Sequence, residues 1–416
     1  MRALPTTTSR VQTRPTIPAP IIGLVILMLG GSMVLLYGKE VAWRYVLFFL
    51  LGACLIAIPR WRDAILFAFA LAFVEGFARN WFTHTRLPLL MKDFVLCAVY
   101  AGVLLEYVPQ RKRIFFSSPL TWPIVCIVLL SLAYAPVSPN LTVALVGVKT
   151  WLFYIPLMYA AYLALDSRKA VLNFFFLIVL MAVPISLFGV WQGMHPERYA
   201  ALGREFRFWT AWGASGAAHF RATSTFSGPG QFGGFLTVAT ILCLALIEGD
   251  DSKVRRSISW AALVVIMAGV FASNNRWSWM ATTGSIAATL LVSLGKQKKQ
   301  AVPLLAGGAI AIAVILYSPL RTMVVDRVGT LTRLGLGGIF MNYVWDRIVI
   351  TARNLDAFIG KGLGTAAPGS RYVWEGYELV ESQLWVALKE LGIVGVGLYE
   401  WLFVAGIVLA FRTLRG

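Results

Sequence analysis

Long apolar runs recur along almost the whole chain, and short polar connections separate them. Runs of about 17–22 residues are long enough to cross a hydrocarbon core of about 30 Å at about 1.5 Å per residue. Backbone amides inside lipid must be hydrogen-bonded within their own segment, so these runs are predicted to be α-helices. The predicted spans lie near residues 21–37, 42–58, 64–78, 88–107, 121–135, 146–165, 170–191, 229–247, 257–273, 277–295, 301–317 and 391–411.

The charge of the short connections predicts which way the helices point. Basic residues favour the cytoplasmic side of a membrane. With the N-terminus placed inside, every predicted inside connection is basic, through Arg60 and Arg62, Arg111–Arg113, Arg168 and Lys169, Lys253–Arg256, Lys296–Lys299, and Arg412 and Arg415. The sequence therefore predicts an all-α polytopic membrane protein of about 12 transmembrane helices with both termini inside.

Three stretches do not belong to the regular alternation of spans and short connections. Residues 1–20 are polar and rich in Pro and Thr, and they are predicted to form a disordered cytoplasmic tail. The first apolar run begins at Ile21 without a small-residue cleavage site, which predicts an anchor helix rather than a signal peptide. Residues 192–228 and 318–390 are predicted to be long loops on the outer side that carry short helices, and residues 21–416 are predicted to form a single transmembrane domain.

Composition agrees with this class. Hydrophobic residues make up 58% of the chain, charged residues make up 13%, and the mean hydropathy is +0.74. The cysteines fall inside predicted spans, where they are expected to be small buried hydrophobes, and they form no Cys-x-x-Cys pattern. The net charge of +18 is distributed over inside connections and outer loops, so no nucleic-acid partner is predicted.

Arginine-rich outer loops predict an anionic ligand. Loop 318–390 carries basic residues at Arg321, Arg327, Arg333, Arg347, Arg353, Lys361 and Arg371, and loop 192–228 carries Arg198, Arg204, Arg207 and Arg221. Arg276 lies at the outer mouth of the tenth span. Guanidinium groups bind phosphate in a forked geometry that lysine cannot reproduce. The alternative is that these arginines extend to lipid headgroups.

Several common kinds of active site are missing from the sequence. The segment Gly360–Thr365 is rich in glycine but lacks the spacing of a nucleotide phosphate loop, so it is predicted to be a tight turn, or else a place where substrate approaches the backbone. No Gly-x-Ser-x-Gly motif is present, and of the histidines only His219, two residues before Arg221, is retained as a candidate. The outer loops lack an Asp-x-Asp metal motif. No metal or other cofactor is predicted.

A carboxylate near the end of the second loop is the candidate general base. Glu375, Glu378 and Glu381 would share one face if their segment were helical. Glu381 directly precedes Ser382, where the chain becomes apolar and re-enters the membrane. A carboxylate at such a lipid-shielded mouth can act as a general base, and a purely structural role is the alternative.

These residues resemble motifs of the O-antigen ligase and polysaccharide polymerase superfamily of bacterial inner-membrane glycosyltransferases. The motifs occur in the family's order: Lys92-Asp93 opening a span, Arg221-Ala222-Thr223-Ser224-Thr225-Phe226 before an apolar span, Asn275-Arg276-Trp277 heading a span, Arg347 upstream of Gly360–Gly364, and Glu381-Ser382-Gln383-Leu384-Trp385 before Glu390-Leu391-Gly392. Ligases of this family place a histidine where this chain has Glu381, and an asparagine where it has Ser382. This departure favours the polymerase branch.

The resemblance implies a hexosyltransferase of exopolysaccharide or lipopolysaccharide biosynthesis. It also implies a bacterial inner-membrane location, with the two long loops and the active site in the periplasm. Its donor would be an oligosaccharide linked to a polyprenyl diphosphate, such as undecaprenyl diphosphate, and its acceptor a glycan or a lipid-linked glycan. Arg221 and Arg347 would bind the diphosphate leaving group, and Glu381 would be the base for direct displacement. Substrate-binding roles are expected for Arg276, Arg207, Lys361, His219 and Ser382. Membrane lipids and a chain-length regulator are the further partners considered.

Two alternatives stay open at the level of the sequence. One is a ligase that transfers a finished glycan to a lipid or protein acceptor. The other, from a different class, is a secondary transporter or lipid-linked sugar flippase, for which charged residues in the middle of spans would be typical. The middles of the predicted spans are nearly free of charge, apart from Glu400 in the last span and Lys149 near the outer end of the sixth. The sequence therefore favours chemistry at the outer surface.

Overall fold

A computed structural model describes most of the membrane part of the chain. It describes residues 50–81, 91–110, 118–200, 210–212, 218–226, 228–296, 321, 325–326, 329, 358–367, 369–370, 373–377 and 383–415. The predicted tail at residues 1–20 and the predicted spans 21–37 and 301–317 lie outside these residues.

The described residues are mainly helical. Residues 50–57 are helical, and the elements that follow are α1 (Trp61–Trp81), α2 (Met91–Tyr107), α3 (Thr121–Tyr134), α4 (Leu141–Leu152), α5 (Ile155–Ala164), α6 (Arg168–Met194), α7 (Pro196–Ala200), β1 (Thr210–Trp212), β2 (Ala218–Phe220), α8 (Pro229–Gly249), α9 (Lys253–Ala272), α10 (Arg276–Lys296) and α11 (Gln383–Arg415). A short 3₁₀ helix, Ala135–Val137, follows α3.

The length and apolar composition of several helices confirm the prediction of a helical membrane protein. Among the described residues, 5 helical segments are long and apolar enough to cross a membrane, namely Leu141–Ala164, Arg168–Met194, Pro229–Gly249, Lys253–Ala272 and Gln383–Leu409. A shorter apolar helix covers Thr121–Val137. The protein is thus a mostly helical membrane protein, and the count of about 12 spans with their orientation remains a prediction from length and charge.

Local sequence explains where the predicted sixth span is interrupted. The sequence predicts one helix over residues 146–165, whereas the structure has α4 and α5 with a break at Phe153 and Tyr154. Pro156 has no backbone N–H and lies at the start of α5, so the hydrogen bond that would continue α4 cannot form there. At its other end, α4 begins where the Asn140 side chain accepts a hydrogen bond from the Val143 amide at 2.9 Å.

The last helix is also broken. Helix α11 contains non-helical backbone at Gly392, with φ 68° and ψ −164°, so it consists of a short segment before Gly392 and a long one after it. The predicted span 391–411 therefore begins where the long segment begins. A left-handed φ of this kind is accessible to glycine at little cost, which explains why the chain turns at this residue.

Two apolar clusters hold the helices together. The first joins α6, α8 and α9 around Val179, Phe232 and Ile266, all fully buried. The second joins α1, α2 and α5 around Trp61, Val99 and Ala160. Helix α1 belongs to both clusters, because its Phe73 also contacts the rings of Phe226 and Phe235. Burial of these side chains away from both water and lipid fixes the helix arrangement by close packing.

Basic residues of the predicted inside connections lie at one end of the bundle, which we call the basic end (residues 60–62, 106–110, 166–169 and 249–256). Arg62 donates to Glu106 at 2.9 Å, and Arg168 donates to the carbonyl oxygen of Gly249 at 2.6 Å. Arg255 pairs with Asp250 at 3.0 Å. The opposite end carries residues 135–140, 192–194, 218–226, 273–276 and 358–367, and we call it the loop end.

The loop between α6 and α8 contains a strand pair that the sequence analysis did not predict. Strands β1 and β2 are antiparallel, with Ala211 opposite His219. The predicted short helices of this loop are represented by α7. The strand pair places His219 immediately before the arginine motif that begins at Arg221.

Candidate functional site

A buried glutamine fixes the chain just after Arg221. The side-chain oxygen of Gln192 accepts hydrogen bonds from the amides of Thr223 and Ser224 at 3.2 and 2.7 Å, and its amide nitrogen donates to the Ser224 carbonyl at 3.1 Å. The Ser224 hydroxyl donates to the carbonyl of Ile185 at 2.6 Å, and Ser224 has a left-handed φ of 51°. Because every one of these bonds is buried, the segment carrying Arg221 is held rigidly on α6.

The same segment is joined to the start of α10. The amide of Ala222 donates to the carbonyl of Ala272 at 3.1 Å, at the last residue of α9. The chain then turns through Asn274, which has a left-handed φ of 49°, and enters α10 at Arg276. The structure thus brings the backbones that carry Arg221 and Arg276 to one place at the loop end.

Both of these arginines are partly shielded from solvent. Arg221 and Arg276 are half-buried, and the Nε atom of each is buried. A guanidinium group in such a place interacts with an anion more strongly than one in bulk water, because the local dielectric constant is lower. Each guanidinium group also offers several N–H donors in one plane, a geometry that matches the oxygens of a phosphate group.

His219 has a carboxylate partner from the second long loop. Its Nε2 atom lies 2.7 Å from Oδ2 of Asp326, and the side chains are 18% and 14% exposed. Asp326 was missed by the sequence analysis, because the two residues are 107 positions apart and no spacing rule relates them. The pair connects strand β2 with loop 318–390 and lies two residues from Arg221.

The glycine-rich segment Gly360–Thr365 is the tight turn that the sequence predicts. Gly360, Gly362 and Gly364 have φ of 88°, 97° and 86°, a region that side chains other than glycine rarely adopt. Residues 362–367, within and just after this segment, are buried, whereas Lys361 is exposed. The Lys361 amide donates to the carbonyl of Lys389 at 2.7 Å, which joins the turn to α11.

Glu390 anchors this turn from inside the bundle. Its side chain is fully buried, and its carboxylate accepts hydrogen bonds from Trp151 Nε1 at 2.7 Å and from the Ala366 amide at 2.9 Å. The amides of Gly364 and Ala367 also donate to it. In the sequence, Glu390 stands out only as part of the family-like motif Glu390-Leu391-Gly392. The structure gives it a role, because a buried carboxylate organises four donors from α4 and the turn.

A charged cluster connects the helices beneath the turn. Lys149 of α4 lies 2.5 Å from Asp93 of α2, and Lys92 lies 2.5 Å from Glu75 of α1 and 3.6 Å from Asp93. The Tyr154 hydroxyl donates to Asp93 at 2.9 Å. In the sequence these charges belong to three separate predicted spans, 64–78, 88–107 and 146–165. The structure brings them together into a set with two positive and two negative side chains.

The predicted site residues therefore fall into three groups. Arg221, Arg276 and His219 lie at the junction of α6, α8, α9 and α10, and Lys361 lies on the turn that packs against α3 and α4. The remaining candidates, Glu381, Arg347, Arg207 and Ser382, lie outside the described residues. Within the part of the chain that the structure describes, no group of three or more His, Cys, Asp or Glu side chains could hold a metal ion.

Replacing Gly147 by alanine is expected to destabilise the protein by about 1–3 kcal/mol, as overpacking usually does. A Cβ atom at Gly147 would lie 2.4 Å from the Gly364 amide nitrogen, so the turn would have to move away from α4. Thermal unfolding of the purified protein, followed by tryptophan fluorescence, measures the change. Gly234→Ala is the matched control, because Gly234 is also helical and a Cβ there meets nothing within 4 Å. Equal unfolding temperatures for the two variants would contradict the packing argument.

The resemblance to a known family rests on the sequence motifs alone, because comparison with known proteins adds nothing to it. It is carried by residues such as Arg221, Arg276 and Glu390, and its implications are expectations about this chain. No protein-family model, no curated protein and no solved structure matches the chain.

Proposed function

We propose that this protein is a membrane glycosyltransferase that transfers or polymerises glycan units from a polyprenyl-diphosphate-linked donor. The observation that carries the proposal is the junction of Arg221 and Arg276, two half-buried arginines on rigid backbone at the loop end of a helical membrane protein. Guanidinium groups in that position suit a diphosphate whose lipid tail stays in the membrane. In the twelve-span arrangement with both termini inside, the loop end faces the periplasm.

The reaction is a direct displacement. The acceptor hydroxyl oxygen forms a bond to the anomeric carbon of the donor as the bond from that carbon to the diphosphate oxygen breaks. The electron pair of the broken bond stays on the diphosphate, and the arginines stabilise the negative charge that develops there. Inversion at the anomeric carbon is expected, because attack comes from the side opposite the leaving group.

The remaining predicted residues take their places in the same proposal. Arg347 would complete the diphosphate site, and Arg207, Lys361 and Ser382 would bind the donor or the acceptor. Glu381 is the carboxylate that the sequence offers as the base. The reaction needs no metal in this scheme, because arginine supplies the positive charge that a metal would bring.

The test is transfer by the purified protein in the presence of a chelator. A polyprenyl-diphosphate-linked repeat unit is supplied, the products are separated on a gel, and a monophosphate-linked unit serves as the control donor. A ladder that forms only from the diphosphate donor identifies a polymerase. A single shifted band that requires a second acceptor identifies a ligase. No product from any lipid-linked donor would refute the glycosyltransferase proposal.

A transporter or lipid-linked sugar flippase is the second candidate, and the charged cluster favours it. Ionisable residues within membrane helices commonly mark ion or substrate pathways, and Glu75, Lys92, Asp93 and Lys149 lie on three different helices. The cluster is internally paired, however, with each lysine next to a carboxylate. That pairing suits a structural link between α1, α2 and α4 as well as it suits a pathway.

The double variant Asp93→Asn with Lys149→Met separates these two functions. It removes one positive and one negative charge together, so neither partner of the ion pair is left alone in the bundle. We expect glycan transfer by the purified double variant to stay near the wild-type rate. If the protein is a transporter instead, vesicles containing the wild-type protein take up labelled substrate, and vesicles containing the double variant lose that uptake.

A further inference from the structure

We propose that His219, oriented by Asp326, rather than Glu381, removes the proton from the acceptor hydroxyl during glycosyl transfer. The inference rests on the proposed function and assigns one of its steps. The observation is a histidine ring nitrogen 2.7 Å from a carboxylate oxygen, at the loop end and two residues from Arg221. Spatial pairing of a histidine with an orienting carboxylate is the arrangement that activates a base in many enzymes.

The partner atoms determine which ring nitrogen accepts the proton. An ionised carboxylate can only accept hydrogen bonds, so Nε2 of His219 must be the nitrogen that carries hydrogen towards Asp326. In the neutral ring, Nδ1 then holds the lone pair and is the basic atom. When Nδ1 takes a proton, the positive ring lies against the Asp326 carboxylate, which stabilises it.

Partial burial suits this role. With side chains 18% and 14% exposed, His219 and Asp326 are shielded from bulk water but not sealed from it. The ion pair formed after proton transfer is therefore screened less than one on the open surface. Glu390, the buried carboxylate at the glycine turn, cannot take this role, because its oxygens accept hydrogen bonds from Trp151 and from the amides of the turn.

The position of the pair also matches the proposed reaction. Arg221 is the first residue after strand β2, and His219 is two positions before it. The two residues are separated by one position at the end of the strand, so a base and a diphosphate-binding cation lie close enough along the chain to address the same donor and acceptor. The proton goes from the acceptor hydroxyl to Nδ1 of His219, the oxygen bonds to the anomeric carbon, and the diphosphate leaves with the electron pair. Water then takes the proton from the ring.

The decisive variant is His219→Gln. Glutamine places an amide nitrogen close to where Nε2 lies, so it keeps a hydrogen-bond donor for Asp326 but has no basic nitrogen. We expect the turnover number for transfer from the diphosphate-linked donor to fall at least about 100-fold, a usual contribution of a general base, with a much smaller change in the donor KM. In His219→Gly, added imidazole is expected to restore part of the activity.

Other results would overturn the inference. If the wild type is active and His219→Gln is equally active, the pair is only a structural link between the loops, and the proposed function stands without it. Loss of activity in Glu381→Gln, together with no imidazole rescue of His219→Gly, assigns the base to Glu381. An inactive wild type refutes the proposed function and this inference with it.

Asp326→Asn, which keeps an acceptor for Nε2 but not the charge, is expected to lose part of the turnover and to retain the wild-type unfolding temperature.

Discussion

Replacing Arg221 by lysine is expected to lower the turnover number for glycan transfer by about 100- to 1,000-fold, the usual cost of removing one preorganised donor to a developing anion. Lysine keeps the positive charge, but its single ammonium group cannot bind two phosphate oxygens in the planar geometry of a guanidinium group. The fold is expected to survive, because buried hydrogen bonds of Gln192 and Ser224 hold the surrounding backbone and lysine keeps the positive charge. Transfer from the diphosphate-linked donor, measured at saturating donor concentration, gives the effect.

A matched arginine shows whether the loss belongs to this position. Arg256 lies at the basic end, in the first turns of α9, and is half-buried like Arg221. Arg256→Lys is expected to leave transfer unchanged. Near-normal turnover in Arg221→Lys would disprove the diphosphate site. Arg276→Lys is part of the same test. Arg276 lies at the start of α10 in the proposed site, and its replacement by lysine is also expected to reduce turnover.

The rigid surroundings of Arg221 explain why a lysine there should not be accommodated by movement. A residue that stabilises charge in a transition state acts best when it is already in place before the reaction, since reorganisation would cost part of the gain. Four hydrogen bonds to Gln192 and Ser224 and one between Ala222 and Ala272 hold this segment against α6 and α9. The chain has therefore fixed the backbone next to the arginine and left the guanidinium group half-buried.

Much of the fold could be predicted because membrane helices are encoded locally. Each apolar run specifies its own helix, so α6, α8 and α9 fall on the predicted spans with differences of a few residues at their ends. The break between α4 and α5 was missed although Pro156 is visible in the sequence, because proline is tolerated in many membrane helices. The break at Gly392 within α11 was missed for a similar reason, because glycine is also tolerated in membrane helices.

The site was less predictable because its parts come from distant segments. Arginine-rich motifs identified Arg221 and Arg276 as candidates, and their common location follows from how α9 and α10 are joined. The partnership of His219 with Asp326 depends on how two long loops fold, which no periodicity describes. A glutamate at a predicted span start is expected to face water, so the burial of Glu390 among hydrogen-bond donors could not be predicted from the sequence.

Truncating Glu390 to alanine is expected to destabilise the protein by about 3 kcal/mol or more, because each buried donor left without an acceptor costs about 1–3 kcal/mol. Trp151 Nε1 and the amides of Gly364, Ala366 and Ala367 would lose their common acceptor in a place that water does not reach. Glu390→Gln should be milder, because one side-chain oxygen still accepts hydrogen bonds while the other end becomes a donor. Unfolding of the purified proteins, followed by tryptophan fluorescence, is expected to show stability decreasing in the order wild type, Glu390→Gln, Glu390→Ala.

Glu400 provides the control within the same helix. It lies beyond Gly392 and is exposed, so Glu400→Gln removes the same charge from α11 without removing any buried acceptor. Equal stability of Glu390→Ala and Glu400→Gln would mean that the turn is held without the carboxylate. Loss of the Glu390 carboxylate is expected to have a second effect, on the glycine turn, because that turn packs between α3, α4 and α11. If Glu390 fixes that turn, Lys361 loses its defined position in Glu390→Ala, and protease cleavage within residues 358–377 should increase before the rest of the bundle unfolds.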